Sequence, residues 1–192
     1  MEQIRSFIAI ELPAEVKQAL GRVQGKLKNA SKASVKWVDP GIMHLTLKFL
    51  GNIDTAIIEE ITMVMEEAVK GVPPFNITVS GLGVFPDTRR VRVVWVGLSG
   101  ELEQLNRLQQ SLETGLTPLG FAPENRPFSP HLTLGRVRDD AAPYERQELG
   151  RLISGTDFKE KYTVSVKAIN LMKSQLTREG PIYTRIGSVS LK

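Results

Sequence analysis

The chain has 192 residues, 41% hydrophobic and 24% charged, which is the ordinary range of a globular protein able to bury a core. It contains no cysteine, which excludes disulfides and thiolate metal sites, and no apolar run near the roughly 20 residues of a membrane span. A net charge of +4 with a sequence pI near 9.4 favours an anionic partner, well below the basic density of proteins held to nucleic acid by charge alone.

The first element expected is a strand over residues 5–12 (RSFIAIEL), ended by Pro13, a good first residue for a helix. In residues 13–29 the apolar positions Val16, Leu20, Val23 and Leu27 form one helical face. VKWV at 35–38 and MHLTLKFL at 43–50 read as extended, and strict alternation puts His44, Thr46 and Lys48 on one face, with Leu45, Leu47 and Phe49 on the other. On that pattern Phe49 is expected in the core. Asp54 caps a helix running to residue 70, and 75–81 (FNITVSG) is another strand.

The second half repeats the order. A strand at 91–98 (VRVVWVGL) is followed by a helix over 101–119, whose face is Leu102, Leu105, Leu108 and Leu112. FSPHLTLGR at 128–136 is extended, 144–153 is helical, and 162–172 and 182–191 are strands. The loops at 86–90 and 118–127 are the expected crossings between halves. His44 follows the strand end at Leu12 by nearly the same stretch as His131 follows Leu98, so each half carries one histidine at a matching point.

The chain's two histidines both stand in the tetrapeptide HLTL. A given histidine is followed by LTL by chance on the order of once in two thousand, so the doubling marks duplication with shared chemistry. On an extended strand the imidazole and the threonine hydroxyl lie about 7 Å apart on one face. Two such strands facing one another would surround a small tetrahedral anion such as phosphate. One imidazole can then act as base and the other as acid near neutral pH, while the hydroxyls donate to non-bridging oxygens. Two histidines without Cys, Asp or Glu at ligand spacing make a poor metal site. No GxxxxGK[ST] motif is present to bind ATP.

WVDPGIMHLTLKFLG at 37–51, FSPHLTLGR at 128–136, the opening RSFIAIELP and LMKSQLTREGPIYTRI at 171–186 resemble the two-histidine (2H) phosphoesterase superfamily. More closely, they resemble its RNA 2′,3′-cyclic phosphodiesterases, also called 2′-5′ RNA ligases. The resemblance implies an α+β, bilobal, pseudo-two-fold fold over residues 1–192, with two antiparallel sheets lining a central cleft and helices outside. It implies hydrolysis of 2′,3′-cyclic phosphate ends to 2′-phosphomonoesters, with His44 as proton donor and His131 as proton acceptor. Thr46, Thr133 and Arg136 would hold the phosphate, Arg136 only where Gly135 breaks the strand alternation. The alternatives are the reverse, ligating reaction and a non-catalytic binder of RNA ends.

The expected partners are RNA ends, tRNA halves among them, or small cyclic nucleotides, with no cofactor, metal or membrane. The chain is expected to be a cytoplasmic monomer, its N-terminus opening with an acid rather than a basic leader. Lys48 is expected to add positive potential at the cleft or to be a solvated edge lysine, and Arg89, Arg90 and Arg92 to form a basic loop and strand start, a solvated turn or one that steers RNA. Trp95 is read as core, Trp37 is left open, and Ser174, Gln175 and Tyr183 are read as closing the terminal sheet.

Overall fold

Alternating strand patterns and four amphipathic stretches fold into two sheets with helices outside. The structure is a computed structural model that describes residues 2–192. Strand β1 (Gln3–Glu11) leads into α1 (Ala14–Ala30), a short β2 (Val35–Trp37) and β3 (His44–Asp54). Next come α2 (Ile58–Ala68), β4 (Phe75–Phe85), β5 (Val93–Gly100), α3 (Leu102–Leu116) and β6 (His131–Val137). The chain ends with α4 (Pro143–Gly155), β7 (Tyr162–Val166), β8 (Ala168–Thr177) and β9 (Gly180–Ser190). Asp54 does cap a turn, its carboxylate accepting from the Ala56 amide at 3.0 Å, but the turn is a 3-10 turn that precedes α2.

One sheet has the order β3, β1, β8, β9 and the other β2, β6, β5, β4, β7, with antiparallel pairing throughout. Taken in order, β3 corresponds to β6, β1 to β5, β8 to β4 and β9 to β7. This is the pseudo-two-fold relation expected, with β2 as the unmatched strand. Helix α1 leaves the first sheet and lies over the second, where Gln24 donates to the carbonyls of Val38 and Leu134 at 2.6 and 3.0 Å. Helices α2 and α3 pack on each other and on β9 and β3 of the first sheet. One continuous core draws leucines, isoleucines and valines from both sheets and all four helices.

Two sequence expectations are corrected. Residues 162–172 form two strands, because the Lys167 carbonyl is taken by the Leu191 amide at 2.9 Å and the chain there leaves one sheet for the other. The loop at 86–90 lies in a hairpin joining β4 to β5 within a single sheet, so it is not a crossing. The 118–127 segment does cross, from α3 on the first sheet to β6 in the second. Among the described residues no helix is long and apolar enough to cross a membrane.

Candidate active site

The two HLTL segments adopt the same local structure. In β3 the partners step from Ile8–Lys48 to Ala9–Thr46, leaving Leu47 as an extra residue. In β6 they step from Val94–Gly135 to Trp95–Thr133, leaving Leu134 as the extra one. Each is a β-bulge, which inserts one residue and resets the alternation of the strand. The burial sequence over seven residues is therefore identical in both strands: half-buried His and Thr, buried leucines, a buried fifth position, an exposed sixth and a buried seventh.

The bulge overturns two expectations and fulfils a condition. Lys48 turns away from the cleft face and is buried against α3. Phe49 takes the opposite course and is 58% exposed instead of lying in the core. Arg136, at the position matching Phe49, is exposed, because the alternation breaks just before it, at Leu134 and Gly135.

Both imidazoles are anchored in the same way. His44 Nδ1 donates to the Ile42 carbonyl at 2.9 Å, and His131 Nδ1 donates to the Ser129 carbonyl at 2.7 Å. A carbonyl can only accept, so each Nδ1 carries a proton and each Nε2 is the nitrogen left for chemistry. His44 Nε2 lies 3.0 Å from the Thr46 hydroxyl, which donates to it when the ring is neutral.

The surroundings of the two rings differ. Phe7 stacks on His44 at 4.6 Å between centroids, and Tyr183 meets it edge-on at 5.2 Å. Phe7, Ala9, Met172 and Tyr183 form a small apolar cluster separate from the main core, on the histidine's side of the first sheet. Burial holds the His44 pKa below the ordinary imidazole value of 6.5, with Lys17 acting in the same sense and the Ile42 carbonyl and Glu11 opposing it. His131 meets Phe85 edge-on at 5.0 Å. The Tyr183 phenol is pushed above its ordinary value by burial, while Arg5 and Arg136 pull it back. Arg136 of the second sheet thus acts on a residue of the first, next to His44.

The model of the family described as LigT like Phosphoesterase matches residues 10–95 and again 96–183, each match containing one HLTL. The chain belongs to this LigT-like phosphoesterase family. An RNA 2′,3′-cyclic phosphodiesterase of Methanothermobacter thermautotrophicus is 38% identical over 95% of this chain and 96% of its own length. One of Thermotoga maritima is 36% identical over 94% and 91%. Among solved structures, TT0787 of Thermus thermophilus matches with a TM-score of 0.77 at 27% identity over 98% of both chains. Escherichia coli LigT complexed with 3′-AMP matches with a TM-score of 0.80 at 25% identity over 99% of both.

Within the family fold, Phe7, Phe85 and Glu11 lie beside the histidines and escaped the sequence reading. A signal existed for Phe7 and Glu11, since an antiparallel partner of HLTL must place residues of RSFIAIEL beside it. Tyr183, read as structural, is in contact with His44. Trp95 is only partly buried and lies 5.1 Å from Phe85, and Trp37 packs over Gly135. Arg90 pairs with Asp87 at 2.9 Å in an exposed turn. Among the described residues no group of three or more His, Cys, Asp or Glu side chains could hold a metal ion.

Proposed function

We propose that the chain hydrolyses 2′,3′-cyclic phosphate ends of RNA to 2′-phosphomonoesters without a metal. The observation that carries this reading is the paired anchoring of His44 and His131 through Nδ1, which leaves two Nε2 atoms in matching positions of the two lobes. The names of the relatives point to the same substrate class, and E. coli LigT has been crystallised with 3′-AMP and with phosphate.

In this reading His131 Nε2 takes a proton from a water molecule whose oxygen bonds to phosphorus. The bond from phosphorus to O3′ breaks, and His44 Nε2–H gives its proton to that oxygen. Thr46, Thr133 and Arg136 donate to the non-bridging oxygens as their charge grows. Phe49 offers an exposed ring to a nucleobase. Burial disfavours the charged form of His44 in the free site, and the negative phosphate raises its proton affinity when substrate binds. The arrangement therefore favours the charged acid when there is a leaving group to protonate.

Product analysis tests the proposal. A cyclic-ended oligonucleotide in EDTA should yield a 2′-phosphate; a 3′-phosphate product would reverse the leaving group, and loss of turnover on chelation would end the metal-free reading.

A further inference from the structure

Lys48 is the most deeply buried ammonium group near the site, its side chain 3% exposed, four residues beyond His44 on β3. Its Nζ donates to Glu113 Oε2 and to the Ala122 carbonyl, each at 2.7 Å. Glu113, on α3, accepts from Gln109 through its other oxygen at 3.0 Å and from the Glu124 amide at 3.4 Å. The residues held here, 122 and 124, lie on the crossing segment that runs directly into Ser129 and His131. Ser129 supplies the carbonyl that fixes the His131 ring.

The matching place in the other lobe is built differently. Gly135 occupies the position of Lys48, and a Cβ there would lie 2.8 Å from Val35 and 2.9 Å from Trp37. Those residues belong to β2, which pairs with β6 through Trp37 and Gly135 and then runs into His44. In each lobe, then, the residue after the bulge holds the segment that delivers the other lobe's histidine. The second sheet does it with an added strand. Among the described residues the first sheet has no such strand, and the Lys48 ammonium supplies the hydrogen bond in its place.

We propose that Lys48, with Glu113, is a positioning residue that sets His131 from across the lobe boundary, an inference that rests on the catalytic reading of His131. A buried ion pair contributes little net stability after desolvation, which is consistent with retention for geometry. The Lys48 chain bears on His131 through Ala122 and the 122–130 segment, although His44 is nearer in sequence.

The test uses the full chain, whose two histidines give two ring signals by NMR, assigned with His44→Gln. In Lys48→Met the His131 signals should move or double while those of His44 stay in place. Turnover of cytidine 2′,3′-cyclic phosphate should lose about 10- to 100-fold in kcat with KM within about twofold, as expected when a base is displaced by an ångström or less. Lys48→Arg should restore most of both. Movement of His44 alone, or of both histidines equally, or kcat within about twofold of wild type, or no recovery with arginine, would each overturn the inference. If Lys48→Met does not give a dispersed spectrum, Glu113→Gln is read by the same criteria. A wild-type protein that turns over no cyclic phosphate but shows the selective His131 response would fail the functional reading and leave the tether standing.

Discussion

Glu11 stands directly across the β1–β3 ladder from His44, whereas Gly97 occupies the matching place across from His131. The lobes are alike in backbone and unlike in charge, and in the first lobe that difference bears on the histidine's proton affinity. Glu11 raises that of His44 against burial and Lys17, and is itself held by Asn170 at 2.9 Å and Arg185 at 3.4 Å. Glu11→Gln should lower the His44 pKa further, read by NMR titration; an unchanged or raised value would remove Glu11 from the site's electrostatics. With His44 as donor, the alkaline limb of kcat/KM belongs to the free enzyme's His44, and the corresponding limb of kcat should lie at higher pH. A limb that does not move upward from kcat/KM to kcat would show that bound substrate does not favour the charged His44. The same depression affects stability. The unfolded chain binds the His44 proton more readily, so this contribution is intact above about 6.5 and is lost as pH falls from there through the folded-state pKa.

Removing either working nitrogen should separate catalysis from folding. His44→Ala and His131→Ala are each expected to lower kcat by about 10²- to 10⁴-fold, the usual worth of general acid or base catalysis. Both side chains are only half-buried, so circular dichroism and thermal unfolding should change little. Turnover within about threefold of wild type in one of the variants would take that histidine out of the mechanism.

Arg136 acts on Tyr183 from the opposite sheet. A charge-assisted hydrogen bond to a phosphate oxygen contributes about 1.5–3 kcal/mol, so Arg136→Ala should cost roughly 10- to 100-fold in kcat/KM. Because Arg136 pulls the Tyr183 phenol down, its removal should also raise the phenol's pKa in an ultraviolet titration. An unaltered tyrosine titration would mean that the guanidinium does not face the first sheet.

Most of the order of elements was legible because periodicity reports which face of a helix or strand is buried. The faces of the two strands that carry the site were legible only up to the bulge. Alternation places His44 and Thr46 together correctly, then fails at Leu47, since an extra residue in one strand depends on the partner and leaves no mark in hydropathy. That single step interchanged Lys48 and Phe49. The doubled HLTL puts Arg136 and Phe49 at the same distance from their histidines, yet it could not show that both positions are exposed. Tyr183 was hidden for another reason: β9 reaches the side of His44 only because β8 pairs with β1, a pairing that joins the two ends of the chain.

Phe49 has the exposure of a platform and not of a core residue. Stacking of a base on an aromatic ring contributes about 1–3 kcal/mol, so Phe49→Ala should raise KM for a cyclic nucleotide by roughly 5- to 100-fold while kcat changes little. Thermal stability should be nearly unaffected, because an exposed ring buries little on folding. A marked drop in Tm with unchanged KM would return Phe49 to a structural role.

Two helical glycines should respond in opposite directions to the same change. Gly25 in α1 has open space where a Cβ would go, so Gly25→Ala should gain up to about 1 kcal/mol from helix propensity and reduced freedom of the unfolded chain. Gly150 in α4 packs against the hairpin loop, and a Cβ there would sit 1.9 Å from the Thr88 carbonyl oxygen. The obstacle is backbone, so helix and loop must separate, at a cost of about 1–3 kcal/mol that exceeds the propensity gain. For a chain of this size each kcal/mol shifts Tm by roughly 2–4 °C, within reach of a thermal melt. The loop is also the one that follows Phe85, which touches His131. Gly150→Ala should therefore lower kcat as well as Tm, whereas Gly25→Ala should raise Tm alone. Equal Tm shifts of the same sign in both variants would show that α4 does not press on the loop.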